Sequence, residues 1–152
     1  MTPAAIATDL DAAVREGIAF FAGVEEQRTT RRPRPGGWCA REILGHLVDS
    51  ACNNHRRFVI GLGQPPVVFQ GYDGDDWVEH QRYADRPFSE IASLWAAYNR
   101  HLSHVIASIP PDALERSGDG PEGRVVTLGF LLEDDVRHLR HHLEQIRALL
   151  IT

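Results

Sequence analysis

At 152 residues the chain has the size of one domain able to bury its own core, and we expect a single domain over 1–152. Hydrophobic residues make up 43% and charged residues 24%, an ordinary globular mix, and the net charge of −5 leaves no basic footprint for nucleic acid. No apolar run approaches the roughly 18 residues of a membrane span, and Met1-Thr2-Pro3-Ala4 does not open a secretory leader, so a soluble, cytoplasmic chain is expected. Nucleic acid and membrane are excluded as expected partners.

In chain order, Thr2-Pro3 opens a first helix, with threonine as cap and proline in the first turn. Ile6, Leu10, Ala13, Val14, Gly17, Ile18 and Phe21 keep helical spacing to about Val24. The stretch from Arg31 to Gly37, rich in arginine, proline and glycine, ends it and reads as a solvated linker that also takes in Arg28.

A second helix is predicted from Trp38 or Cys39 to Ile60, with Leu44, Leu47, Val48, Ala51, Phe58 and Val59 as its apolar stripe. Cys39 and Cys52 are then separated by about 20 Å of helix, beyond disulfide reach, and read as two small buried residues. After Gly61 a loop of about 20 residues runs to Arg86-Pro87 with Phe69, Tyr72, Trp77 and Tyr83, and is expected to fold back as a lid.

The third helix covers Phe88 to Ile109 and stops at Pro110-Pro111. A polar, glycine-rich loop, a short extended piece at Arg124-Val125-Val126, and a last helix capped by Thr127 and running to Leu150 complete the chain. Four long helices and no strand series define an all-α, four-helix bundle with a long loop between helices 2 and 3.

The chemistry is carried by histidine, of which the chain has eight. On the last helix, Leu128, Leu132, Leu139, Leu143 and Ile146 set the inward direction. At about 100° per residue, His142 falls about 40° from that direction, His138 about 80° and His141 about 140°. The spacing His138-x-x-x-His142 therefore aims two imidazoles at one point, half of a metal site, while His141 belongs to the wet face. Asp135 shares the inward face and is the candidate catalytic or ligand-orienting carboxylate. Asp49 and Asp134 are weaker candidates for receiving a ligand's second N–H.

A third ligand must come from another element, and His46, His55, His80, His101 and His104 are the candidates. On the second helix His46 lies opposite the apolar stripe, on a polar line with Ser50, Asn53 and Arg57. That line reads either as plain solvated surface or as the wall of a polar cavity under the lid. In the second case Asn53 and Arg57 are candidate substrate-binding residues.

The run from Gly36 to Ser50, with Gly37-Trp38 and Gly45-His46-Leu47-Val48-Asp49-Ser50, resembles the second-helix signature of the DinB/YfiT-like superfamily. Val136-Arg137-His138-Leu139-Arg140-His141-His142-Leu143-Glu144-Gln145-Ile146 resembles its last-helix motif, and Asn53, Arg57-Phe58 and the Tyr72…Trp77 pair fit the YfiT-like branch. Gly45 is a departure, since YfiT-like members tend to carry a further histidine there. The lower histidine density of the last motif is another.

The resemblance implies a four-helix bundle, often a homodimer, with three histidines holding zinc, nickel or a similar divalent ion. It maps those ligands onto His46, His138 and His142 and so selects His46, which periodicity does not. Three imidazoles leave a coordination position open, the mark of a catalytic site. The implied activity is transfer of a low-molecular-weight thiol to a small molecule, or hydrolysis of one; relatives include bacillithiol transferases, mycothiol-dependent isomerases and metal-dependent hydrolases. The alternative is a non-catalytic metal-binding or stress-related interaction module.

Overall fold

The computed structural model describes residues 1–151. Its long helices are α1 (Pro3–Phe21), α2 (Ala40–Ile60), α4 (Phe88–Ala107) and α5 (Leu128–Ile151), with a short α3 (Gly74–Gln81) between α2 and α4. A small antiparallel pair, β1 (Ser117–Asp119) and β2 (Val125–Thr127), precedes α5 in the register Ser117↔Thr127. None of these helices is long and apolar enough to cross a membrane.

The caps follow the sequence. Thr2 accepts from the Ala5 amide at the start of α1, with Pro3 in the first turn. Glu42 reaches back to the Cys39 amide at 2.9 Å, and its carboxylate is also held by Arg32 at 2.6 Å, so one linker arginine fastens the linker to the mouth of α2. Thr127 accepts from the Phe130 amide at the start of α5.

The long helices close a ring in the order α1–α4–α2–α5, so the sequence neighbours α1 and α2 face each other across the bundle. Such an order needs long connections across the α1/α2 and α4/α5 diagonals, and the linker before α2 and the segment between α4 and α5 supply them. Trp95, Phe58, Leu10, Leu44, Ile91, Leu102 and Leu132 are fully buried between the helices. Each such side chain contributes about 1.5–3 kcal/mol on burial.

The segment after α2, expected as a loop folded back as a lid, contains a helix and a strand-like strip. Asp73 caps α3 by accepting from the Asp76 amide, and the helix ends at Arg82 in the left-handed region (φ 53°). Before it, the Phe69 amide donates to Asp119 O at 2.7 Å and the Asp119 amide to Val67 O at 2.9 Å. The strip thus lies on β1 with Phe69 buried beneath it. Turn residues hid both pieces: α3 is too short for an amphipathic period to stand out, and β1 is Ser-Gly-Asp.

The fold positions the candidate site by enclosing the first half of α2 on every side. From Ile43 to Ala51 every residue is buried, with α4 on one face, α5 on another and α3 with the Tyr83 turn on a third. Tyr83 packs so close to α2 that a Cβ at Gly45 would lie 2.2 Å from its ring. The ring fills the space that a side chain at position 45 needs, which is the physical reason for glycine there.

Gly45→Ala should therefore destabilise the protein by about 1–3 kcal/mol through overpacking, read as a lowered midpoint in thermal or urea unfolding. In the Tyr83→Ala background the same change should cost much less, and an equal cost in both backgrounds would contradict the Gly45–Tyr83 contact.

Candidate metal centre

His46 comes from α2, and His138 and His142 lie one turn apart on α5. His138 Nε2 lies 3.2 Å from His46 Nε2 and 3.0 Å from His142 Nε2. Their donor atoms already lie within 4.8 Å of one another, close enough to share one ion without rearrangement. A tetrahedral ion with bonds of about 2.0–2.1 Å separates its nitrogen ligands by about 3.3 Å. The two separations approach that value.

Burial tunes these rings toward neutrality. Desolvation first, then the neighbouring His142 and His138, lowers the pKa of His46 to about 3. The same causes, with His142 as the main neighbour, lower His138 to about 4. His142 is lowered too, by desolvation, against the opposing pull of its Gln145 hydrogen bond. Neutral imidazoles are the form that binds metal, so no proton has to leave at neutral pH.

The outward nitrogens decide which way the inward ones face. His142 Nδ1 donates to Gln145 Oε1 at 2.7 Å, which leaves its Nε2 lone pair directed at the cluster. The Gln145 amide in turn meets His141 Nε2 at 3.1 Å on the exposed side. His138 Nδ1 faces Ser50 Oγ at 3.4 Å. His46 Nδ1 is buried without a hydrogen-bond partner, under Gly74 at the start of α3. Trp38 lies against the His46 ring at 5.0 Å between centroids, and Tyr72 at 6.4 Å.

Behind the rings lies a polar chain in which Asn54, not expected from the sequence, joins Ser50 to Asp135. Asn54 Nδ2 donates to Asp135 Oδ1 at 2.7 Å and approaches Ser50 Oγ at 3.4 Å. Asp135 thus touches no histidine and reaches His138 only through Asn54 and Ser50. It is 4% exposed, its Oδ2 is unpaired, and desolvation raises its pKa to about 7 against the opposing Asn54 bond. Spacing held the clue: Asn54 follows Ser50 by one turn, as Ser50 follows His46.

The other candidate residues are placed differently. Asn53 donates to the backbone of Asp49 at 2.9 Å and is not part of the histidine cluster. Arg57 ties down the lid, donating to Gln70 O at 2.7 and 3.0 Å and to Asn54 Oδ1 at 2.9 Å. Asp49 receives Tyr83 Oη at 2.6 Å and Gln81 Nε2 at 2.8 Å, and no histidine. Asp134 pairs with Arg137 on the surface. His55, His101 and His104 lie on the α2–α4 side of the bundle.

Next to His142 opens a cleft of about 500 Å³. Trp38, Ile43 and Leu149 give it an apolar wall, Gln145 lies beside the histidine, and Arg34 and Asp75 contribute charge. A small organic molecule fits this volume.

A helical bundle with a three-imidazole cluster set between α2 and α5, under a folded lid, is the class that fold and site define. The family model described as the DinB superfamily matches residues 9–146, and the chain belongs to that superfamily. It is 28% identical over 116 residues to a "Putative metal-dependent hydrolase" of Oceanobacillus iheyensis, covering 76% of this chain and 67% of that one. To "Putative metal-dependent hydrolase YfiT" of Bacillus subtilis it is 29% identical over 119 residues, covering 76% and 66%. A Halalkalibacterium halodurans protein of the same description is 22% identical over 133 residues, covering 88% and 77%. The matches thus span about two thirds to three quarters of those relatives' length. The solved structure of Bacillus subtilis YfiT, a four-helix bundle, superposes with a TM-score of 0.80 at 21% identity, over 97% of this chain and 83% of that one.

The raised pKa of Asp135 sets a pH signature. Unfolded, the carboxyl ionises near 3.8, but folded it keeps its proton to about 7, so this group's contribution to stability falls as pH rises from 3.8 to 7. Asp135→Asn should therefore gain stability relative to the parent across that window, by a few kcal/mol at most above pH 7. Urea unfolding of the metal-free proteins at pH 5 and pH 8 reads it, and a difference that shrinks toward pH 8 would contradict a buried, proton-holding Asp135.

Proposed function

We propose that this protein is a metal-dependent enzyme in which His46, His138 and His142 hold one divalent ion through Nε2, and a small molecule reacts at the remaining coordination position. The observation that supports it is the meeting of three imidazole nitrogens with no carboxylate or cation among them, from rings whose pKa values burial lowers. Three protein ligands suit a catalytic centre, where a structural one normally has four. Zinc and nickel are the ions proposed, since both accept imidazole. The ion would supply Lewis acidity toward an oxygen or sulfur nucleophile, either water for hydrolysis, in the sense of the relatives' names, or a low-molecular-weight thiol for transfer.

The chain's own residues do the positioning. Gln145 fixes the tautomer of His142, and Ser50 faces the outer nitrogen of His138. Asp135, read from the sequence as a catalytic candidate, is a positioning residue in this account, because it holds Asn54 and Ser50 in place rather than touching the cluster. Arg57 and Asn54 do the same for the lid and the polar chain. Trp38 and Tyr72 flank His46 and keep bulk water from the rings, and the cleft beside His142 receives the substrate.

Protein purified with metal and washed briefly with chelator should retain one equivalent, and His46→Ala, His138→Ala and His142→Ala should each lose it. His141→Ala should keep it, and Gln145→Ala should weaken binding by about 10–100-fold, as removal of a ligand-orienting partner does. Metal retained in all three ligand variants would overturn the assignment. Metal-loaded protein mixed with activated esters and amides, and with electrophiles plus a thiol panel, separates hydrolysis from transfer. No turnover in either series would favour a non-catalytic metal-binding module.

A further inference from the structure

A second group of metal-ligating side chains lies on the α2–α4 face, distinct from the proposed centre and not used by it. Cys52 and His55 are spaced i, i+3 on α2, and Tyr98, His101 and His104 follow at the same spacing on α4. Residues three apart share a helix face, and α2 and α4 are packed neighbours, so Cys-x-x-His meets Tyr-x-x-His-x-x-His across one interhelical seam. The contacts follow: His55 Nδ1 lies 3.0 Å from Tyr98 Oη, the His55 and His101 rings lie 5.2 Å apart, and those of His101 and His104 6.4 Å apart. Cys52, one turn before His55 on the same face of α2, lies near enough for its thiol to help raise the pKa of Tyr98, after desolvation.

We propose that Cys52, His55 and His101 form a second, surface-lying site for a thiophilic transition-metal ion, with Tyr98 as the residue that orients two of its ligands. The donor set of one thiolate and two imidazoles selects zinc, cobalt or copper over the hard cations calcium and magnesium. A direction of hydrogen bonding exists that satisfies the loaded state throughout. With Nε2 as ligand, His55 Nδ1–H donates to Tyr98 Oη, and the Tyr98 hydroxyl donates to the Cys52 thiolate. Each group then has a partner and both donor atoms keep a lone pair for the ion.

Desolvation, with His101 nearby, lowers the pKa of His55, which keeps that ring neutral at pH 7. The donors stand further apart than those of His46, His138 and His142. Cys52 and His101 are exposed, so their side chains are not held in place by core packing. Both cysteines are expected from the sequence to be buried; Cys39 is, and Cys52 is exposed.

Cobalt(II) titration of the full chain tests this, since thiolate bound to cobalt gives a near-ultraviolet absorption that imidazole alone does not. The His138→Ala/His142→Ala variant should develop that band at one equivalent per chain, and the parent protein by the second equivalent, once the three-histidine centre can also be filled. Cys52→Ser should abolish it, and Tyr98→Phe should weaken binding at this site by about 10–100-fold, while Cys39→Ser should leave it unchanged. Absence of the band in the parent, or its survival in Cys52→Ser, would overturn the second site. Neither result bears on the three-histidine centre, whose loss would show instead as unaltered metal content in the single histidine variants.

Discussion

The structure turns on placing three imidazoles in one water-poor space between α2 and α5. Bringing His46 Nε2 within 3.2 Å of His138 Nε2 means that two helices distant in sequence must hold a fixed register against each other. It also means that rings able to carry charge must be kept neutral by burial, at a desolvation cost that a bundle core of leucines would not incur. Much of the remaining fold serves those two demands. The ring order α1–α4–α2–α5 sets α2 against α5, the lid with α3 closes over His46, and Arg57 fastens that lid to α2.

Protons at the centre respond to pH in opposite senses. His46 and His138, with folded pKa values of about 3 and about 4, add stability that is fully present above the unfolded value of 6.5 and is lost as pH falls toward their folded values. Asp135 acts the other way, favouring the folded state at low pH. The metal-free protein is therefore drawn toward a stability maximum near neutrality, the same range in which neutral imidazoles take up an ion. A bound cation adds to this by favouring the state in which all three rings are unprotonated.

What the sequence made legible depended on which faces were apolar. On α5 the leucines mark the core, so the turn-by-turn angles of His138, His142 and His141 could be read directly, and the structure puts the first two in the cluster and the third on the wet side. On α2 the same reasoning could not select His46, because that helix is enclosed by α4, α5 and the lid together. A buried polar face looks like a solvated one when only hydrophobic spacing is counted. His46 and Ser50 are 8% and 6% exposed, and family resemblance rather than periodicity pointed to the first. Asn54 follows Ser50 by one turn, yet hydrophobic spacing alone does not distinguish it from its neighbour Asn53. The eight-residue α3 and the Ser-Gly-Asp strand lie below the length at which a period can be seen, and Tyr83 became meaningful only when its ring was found against Gly45.

The most direct test of the three-histidine centre is X-ray absorption on the Cys52→Ser protein loaded with one equivalent of zinc. The account predicts three nitrogen donors at about 2.0–2.1 Å with the outer-shell scattering of imidazole rings, and no sulfur. A shell of oxygen donors without imidazole scattering, or a sulfur contribution from Cys39, would contradict it.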